Sequence, residues 1–394
     1  MNRQTILYIH HGKGLGGAPI SLLTLIKALD LTRYRPIVLF LYDSEALKLF
    51  RNEGVEVVGP INLSDFSHTQ VYWFRWYHAH HAIKALTQTL ITLFIAAPHI
   101  IRSIQPKLIH LNTSSLIAWG IAAHHHNIPV VWHIRESLAA GYFGLRRFII
   151  KKIIAHYATI IVPICETDGR FWDKPKKKVI YNPVDINRFT PAAASAAFPT
   201  NSQYLLFLGG LSHQKGTGLM LEVFERVRHS IPNIKLIIAG AFSKPQLKGL
   251  QKFSPEKKYM AAAYRRYETL KEDIILTGPT TQIPELMQAA SIVFFPAQVD
   301  HFARPVIEAG CMAKPVIASD LPQLREIIQH NVTGYLIPKD DVQAWTTSTI
   351  NLLLDQEKQI ALKSAHYQYC HQRFAQHFYA TAIEKIYQAI ASGK

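Results

Sequence analysis

Two glycine-rich turns are the first features of this chain with the means to do chemistry. Gly12-Lys13-Gly14-Leu15-Gly16-Gly17 follows the apolar run ILYIH and satisfies G-x-G-x-x-G, with Asp43 closing the next apolar run where a ribose-binding acid would stand. Taken alone this is a nicotinamide-dinucleotide pattern. A glycine turn between strand and helix, however, serves any phosphate or sugar that must approach the backbone. The second turn, Gly209-Gly210-Leu211-Ser212-His213-Gln214-Lys215-Gly216, follows YLLFL and precedes a helical stretch from about Leu219. Its glycines open backbone amides to an anion, the helix start adds partial positive charge, and Lys215 supplies a full one, so a diphosphate fits. It is not a Walker loop, because Gly216 rather than Ser or Thr follows the lysine.

A third constellation runs from Pro296 to Ala309 and contains Asp300, Phe302, Ala303, Arg304, Pro305 and Glu308. Pro305 suits the first position of a helix, so free N–H groups and Arg304 would gather at that helix mouth. Glu308 in the first turns could accept hydrogen bonds from a diol, and Asp300 in the loop would stay open to solvent. The plainer readings are dipole complementarity for Glu308 and loop capping for Asp300. The chain has no D-x-D metal clamp. His78, His80 and His81, and the run His124 to His126, raise metal binding, but consecutive helix residues point about 100° apart and do not converge.

These residues need elements to hold them. Short β-branched runs at 6–10, 36–42, 55–59, 108–112, 129–134 and 159–164 alternate with amphipathic stretches, as βα repeats of a mostly parallel sheet do. A second series begins at 204–210 and continues at 234–240, 273–278, 290–296 and 314–320. Between them TPAAASAAFPTNS, rich in Ala, Pro and Ser, reads as an interdomain linker. Phe374, Phe378, Ala382, Ile386 and Ile390 predict an amphipathic terminal helix over 373–390.

The 394 residues suit two domains of roughly 150 to 200 residues each. Apolar residues make up 48% and charged residues 18%, which excludes general disorder. The three cysteines form no CxxC pair, and the apolar run at the amino terminus is short for a signal peptide, so a reducing cytoplasm is the expected compartment. A formal charge of +16 favours polyanions, but no zinc-finger or RNP pattern is present, and no specific nucleic acid is expected as a partner. The segment from Val71 to Ile104 carries Trp73, Phe74, Arg75, Trp76 and Tyr77 and then LITLFIAAPHII. Thr89, Thr92, Pro98 and His99 interrupt it below the roughly 20 residues of a spanning helix. With LRRFIIKKIIAHY (145–157) it suits peripheral contact with an anionic membrane, and equally helices packed on the first sheet with solvated basic faces.

Taken in order, Gly16-Gly17-Ala18-Pro19, HIRE (133–136), YNPVDINRF (181–189), GGLSHQKG (209–216), TGPT (277–280) and Asp300-x7-Glu308 resemble the retaining glycosyltransferases of family four. The resemblance covers most of the chain. It implies an α/β GT-B fold: two Rossmann-like domains facing each other across a cleft, with a C-terminal helix returning to the first domain. On that pattern the acceptor-binding domain is 1–189, the linker 190–202, the nucleotide-sugar domain 203–370 and the terminal helix 371–394. Gly16 and Gly17 then resemble the loop facing donor phosphates and acceptor, and His133 the histidine that contacts the transferred sugar. Lys215 resembles the lysine that neutralises the leaving diphosphate and Glu308 the ribose-binding carboxylate, with Thr277, Gly278 and Ile283 near the base. Asp300 and His133 are the expected catalytic pair; Phe302, Ala303 and Arg304 line the same donor loop.

Two departures stand out. The family usually has Arg where this chain has Gly210, so half of the diphosphate clamp is missing unless Arg304 or Arg135 replaces it. Asp300 is one methylene shorter than the usual glutamate. The implied activity is retaining, metal-independent transfer of a sugar from a nucleotide-diphosphate donor, with no cofactor, to a glycan or lipid-linked acceptor in polysaccharide or glycolipid synthesis. The expected location is the cytoplasm at the inner face of the cell membrane. Gly210 favours the alternative of a non-catalytic sugar-nucleotide binder of the same fold.

Overall fold

The computed structural model describes residues 3–12, 14, 16–63, 79–138, 140, 142–173, 175–191, 202–246, 254–300 and 302–393. They form two units, Met1–Pro183 with Gln376–Lys394, and Val184–Ala375. Most of the stretch read as a linker, and the aromatic cluster at Trp73 to Tyr77, lie outside the described residues.

In the first unit, strands β1 (Gln4–His10), β2 (Tyr34–Phe40), β3 (Glu56–Val58), β4 (Leu108–Leu111), β5 (Val130–Ile134) and β6 (Ile160–Pro163) form one parallel sheet. Its order is β3-β2-β1-β4-β5-β6, the Rossmann order. The strands read as nearly continuous apolar runs because both faces are covered. Leu7 and Ile9 point into a core with helices α4 (Ala97–Ile104), α5 (Ile117–His125) and α6 (Leu145–Tyr157). Ile6 and Tyr8, on the opposite side of the pleat, point into a second core with α1 (Gly17–Ala28), α2 (Glu45–Asn52) and the terminal helix α15 (Gln376–Ala391).

The terminal helix therefore belongs to the first unit, but with a different face from the one the spacing suggested. Its buried residues are Tyr379, Ala380, Ile383, Ile386 and Tyr387, whereas Phe378 is 48% exposed. The cause is a break at Ala375, whose ψ of 142° ends the preceding helix α14 (Gln356–Phe374) and resets the helical phase; Phe374 packs as part of that helix.

Ahead of β4, helix α3 (Ala79–Ile91) runs through a π-helical turn at Thr92–Ala96 directly into α4. Pro98 is accommodated in the first turn of α4 and does not break the run. The helix is thus longer than the interruptions in its sequence implied. Ile83–Ile104, 22 residues, is long and apolar enough to cross a membrane by length and composition; an 18-residue stretch of it has mean hydropathy 1.3 and is 11% buried. Ile83, Leu86, Leu90, Phe94 and Ile95, three or four residues apart along most of it, are all more than 45% exposed.

The second unit repeats the plan. Strands β7 (Gln203–Phe207), β8 (Ile234–Ala239), β9 (Ile274–Gly278), β10 (Ile292–Phe295), β11 (Val316–Ser319) and β12 (Tyr335–Ile337) are parallel, in the order β12-β11-β10-β7-β8-β9. Counted within the unit this is again the Rossmann order. Helices α8 (Thr217–Ser230), α9 (Pro255–Leu270) and α13 (Val342–Leu354) close its core. Strand β12 carried no strand expectation; it is three residues long, at the sheet edge, with only Ile337 fully buried.

In both sheets the strand order reverses beside the first strand, between β1 and β4 and between β7 and β10. Ligands of open parallel sheets bind outside the carboxyl ends of the strands at such points. The two glycine turns follow β1 and β7, and the Asp300–Glu308 segment follows β10.

Candidate functional site

The first half-site lies at the carboxyl edge of β1, β4 and β5. Gly16 is the N-cap of α1, with φ −81°, and a Cβ built at Gly14, Gly16 or Gly17 meets no atom within 4 Å. Glycine at Gly16 suits the N-cap position and leaves open space in front of the turn among the described residues. Gly12 differs, since a Cβ there would stand 2.7 Å from His10 Nε2.

Behind this turn the HIRE segment is divided between three tasks. His133 is fully buried, its Nδ1 is 3.1 Å from His110 Nε2, and its own Nε2 has no partner among the described residues. Arg135 donates through Nε to Asn112 Oδ1 at 2.6 Å, through Nη1 to Asn182 Oδ1 at 2.6 Å and through Nη2 to Tyr379 Oη at 3.1 Å. Glu136 accepts from Thr113 Oγ1 at 2.7 Å and from the Ser114 N–H at 2.8 Å, and Ser114 Oγ also contacts it. The guanidinium of Arg135 thus ties the β4 and β5 ends to the YNPVD segment and to α15. Burial holds His10, His110 and His133 well below the usual histidine range, and the Arg135 charge pushes each further down, so all three imidazoles are neutral.

The second half-site lies at the ends of β7 and β10. Gly210 has φ +56°, and a Cβ on it would stand 2.5 Å from the Ala241 carbonyl oxygen. Its N–H donates to Ala239 O at 2.9 Å, and the next N–H, of Leu211, to Ala241 O at 2.8 Å. An L-residue at 210 would be strained both by conformation and by space, so the missing arginine is replaced by a residue this turn requires. Thr217 Oγ1 donates to Gly210 O at 2.8 Å and accepts from the Ser212 N–H at 2.8 Å, locking the loop onto the start of α8. The Gln298 N–H donates to Gln214 O at 2.9 Å, which ties the loop after β10 to the glycine loop.

Lys215 is held at the end of β10, its Nζ 5.5 Å from the Phe295 ring centroid. Burial lowers its pKa from 10.5 to about 8. A partly buried cation next to a glycine turn suits an anion. Tyr259, which carried no expectation, caps this helix mouth: its Oη accepts from the Gly218 N–H at 2.8 Å, so one of the amides expected to meet an anion is occupied.

Helix α11 (Arg304–Cys311) begins one residue earlier than Pro305, with Ala303 as N-cap. Arg304 Nε donates to Glu308 Oε1 at 2.6 Å, and both side chains are about nine-tenths buried. One Glu308 oxygen is therefore already engaged, which leaves a narrower diol receptor than the sequence suggested. Arg304 Nη1 is buried without a partner among the described residues, whereas Arg135 donates from all three of its nitrogens. Of the two candidates to replace the clamp arginine, Arg304 is the one with a terminal nitrogen that has no partner among the described residues. Phe302 and Ala303 are buried, and Asp300 is exposed with no partner among the described residues. Gly278, with φ +67°, ends β9, and Ile283 opens α10 (Ile283–Ala289) beside it. Among the described residues no three His, Cys, Asp or Glu side chains converge as a metal site requires.

Sequence reasoning missed His10, His110, Tyr379 and Tyr387. The pairing register supplies the signal in hindsight: Tyr8 faces His110 across β1 and β4, on the face that α15 covers.

Comparison with known proteins agrees with this geometry. Residues 190–369 match the family described as glycosyl transferases group 1. The chain is 25% identical over 300 residues to the D-inositol 3-phosphate glycosyltransferase of Thermobispora bispora, covering 70% of this chain and 68% of that one. It is 24% identical over 258 residues to the lipopolysaccharide core biosynthesis mannosyltransferase LpsB of Rhizobium meliloti, covering 63% and 69%. Among solved structures, the Anabaena protein HepE in complex with UDP-glucose superposes with a TM-score of 0.77 at 18% identity, covering 98% of this chain and 100% of that one. Sucrose-phosphate synthase of Thermosynechococcus elongatus superposes with a TM-score of 0.73 at 16% identity over all of both chains. The fold is GT-B, with two Rossmann-like domains, and the family resemblance read from the motifs is borne out.

Proposed function

Starting from a chain whose residues 190–369 place it among the glycosyl transferases group 1, we propose that it is a retaining, metal-independent enzyme that transfers a sugar from a nucleotide-diphosphate donor to a glycan or lipid-linked acceptor. The observation that carries this reading is the pair of glycine turns at the reversal points of two Rossmann-order sheets, one of them with partly buried Lys215 beside it. Lys215, Arg304 and the amino terminus of α11 would stabilise the departing diphosphate. Glu308 would hold the ribose through its remaining oxygen, with Gly278 and Ile283 near the base. His133, with Gly16 and Gly17, would meet the transferred sugar and acceptor.

In the step itself the bond from the anomeric carbon to the diphosphate breaks as the bond to the acceptor oxygen forms on the same face. The acceptor proton passes to the leaving phosphate oxygen. Asp300 is exposed, with no partner among the described residues, and would orient the donor or stabilise charge at the anomeric carbon. No cofactor takes part. The UDP-glucose bound to the Anabaena structure makes UDP-sugars the first donors to try.

A bilayer-linked acceptor fits the exposed face at Ile83, Leu86, Leu90, Phe94 and Ile95, together with Phe143, Leu145, Phe148 and Ile149 at the start of the basic helix α6. That surface would rest on the anionic inner face of the cell membrane, with the protein in the cytoplasm. The non-catalytic alternative rested on Gly210, and the backbone conformation and space of the turn are themselves a reason for glycine there.

The test is thermal stabilisation by a panel of UDP-, GDP-, ADP- and dTDP-sugars and NAD(P). A selective rise in Tm with one sugar nucleotide, lost in Lys215→Ala, supports the reading. No rise with any of them points to a scaffold that has lost its donor site, and a rise with NAD(P) alone overturns it.

A further inference from the structure

We propose that two hydrogen-bond chains, from Tyr8 through Tyr387 and His110 to His133 and from Arg135 through Asn112 to His10, set both terminal histidines as Nε2–H donors. The carboxyl edge of the first sheet then holds two buried imidazole N–H groups, and neither histidine is a base there. Naming the ligand atoms as sugar or phosphate oxygens, and the direction of the longer chain, rest on the function proposed above; the direction of the shorter chain does not.

The shorter chain is settled by donor and acceptor types alone. A guanidinium can only donate, so the Asn112 atom 2.6 Å from Arg135 Nε is the carbonyl Oδ1. The Asn112 amide nitrogen, which can only donate, therefore faces His10 Nδ1 at 3.1 Å. That ring nitrogen must carry the lone pair, and in a neutral imidazole the proton is then on Nε2. His10 Nε2 is buried beneath the Gly12 turn and has no partner among the described residues.

The longer chain has three links: Tyr8 Oη to Tyr387 Oη at 2.9 Å, Tyr387 Oη to His110 Nδ1 at 2.6 Å, and His110 Nε2 to His133 Nδ1 at 3.1 Å. Each link holds one proton and each neutral ring supplies one, so the two histidine links point the same way, toward Tyr8 or toward His133; the Tyr387 oxygen can also accept from both Tyr8 and His110, which leaves its own proton without an acceptor. If it pointed toward Tyr8, the Tyr8 hydroxyl proton would have no acceptor, because Tyr387 is its only hydrogen-bond partner among the described residues. Tyr8 is fully buried, and a buried donor without an acceptor costs about 1–3 kcal/mol. If it points toward His133, the buried donor left over is instead His133 Nε2–H, which has no acceptor among the described residues and can be satisfied only by a ligand oxygen. A ligand oxygen there completes the chain.

His10 and His133 sit on β1 and β5, with Asn112 just past the end of the strand between them. Tyr387 comes from α15, so the last helix of the chain fixes the proton on a histidine of the first unit. Tyr387, His110, Asn112 and Arg135 are positioning residues. His133, with its single lone pair already accepting from His110, holds an oxygen and does not deprotonate one.

The experiment is 15N–1H spectroscopy of the imidazoles in full-length protein labelled with 15N-histidine, assigned with His10→Gln and His133→Gln. Protonated Nε2 and unprotonated Nδ1 on both residues are expected; Nδ1–H on either overturns the proposal. In Tyr387→Phe the longer chain loses its direction while the shorter one is untouched. His110 and His133 should then show mixed tautomers with His10 unchanged, and kcat with the donor should fall about tenfold with a smaller change in KM. An unchanged His133 in that variant also overturns the proposal, whereas a general packing defect would move His10 as well. Addition of UDP-glucose and the other sugar nucleotides separates the two claims. Intact Nε2–H donors whose resonances shift with none of them would uphold the chains and sink the assigned ligand.

Discussion

A Cβ on Gly216 would stand 1.9 Å from the carbonyl oxygen of Pro296, so the glycine loop after β7 and the loop after β10 approach as closely as a missing side chain allows. Gly216 also has φ +82° and is the N-cap of α8. Gly216→Ala therefore meets both a backbone clash and a disfavoured conformation. We expect a loss of about 1–3 kcal/mol in urea unfolding and a larger proportional loss in donor affinity, because the displaced loop carries Lys215. Wild-type stability in this variant would show that the two loops are not coupled.

The lysine makes a pH prediction with a definite sign. Lys215 has a pKa of about 8 in the folded protein against 10.5 in the exposed form, so between those values the unfolded chain binds more protons. Its burial penalty is fully present below pH 8 and is relieved as pH rises toward 10.5. Lys215→Met should remove that segment of the stability profile. Donor affinity should run the other way, weakening above about pH 8 as the unliganded lysine loses its charge. Matching profiles of mutant and wild type would refute the assignment.

Gly210→Arg tests whether the family's arginine was merely lost here. The positive φ and the Ala241 carbonyl predict that restoring it lowers Tm and does not improve kcat/KM. Arg304→Leu should instead weaken diphosphate binding by about tenfold or more, the order of a lost charge-assisted hydrogen bond.

How much of this was legible before the structure depends on range. The strands and both glycine turns were visible because burial on two faces writes continuous apolar runs, and a strand-to-helix turn that must admit a ligand writes glycine. Lys215 and Glu308 could be placed because they lie within a few residues of such turns. Tyr387 fell outside the helical face that the spacing gave, because the break at Ala375 shifts that face by one residue. Its contact with His110 spans 277 positions and leaves no local pattern. The Arg304–Glu308 pair, although only four residues apart, was missed because each side chain had been read as waiting for a ligand.

The exposed apolar face of the helix ending at Ile104 predicts binding to anionic vesicles. Phosphatidylglycerol vesicles should sediment with the wild type, and Phe94→Asp with Phe148→Asp should abolish this while leaving the sugar-nucleotide thermal shift intact. Equal sedimentation of both proteins would assign this face to another role.

The central claim is tested most directly by following transfer from the donor picked out by thermal shift, with EDTA present, and reading the anomeric configuration of the product by proton NMR. The account predicts release of one nucleoside diphosphate per sugar transferred, undiminished by the chelator, with the anomeric configuration of the donor retained. An inverted product, or turnover that EDTA abolishes, would contradict it.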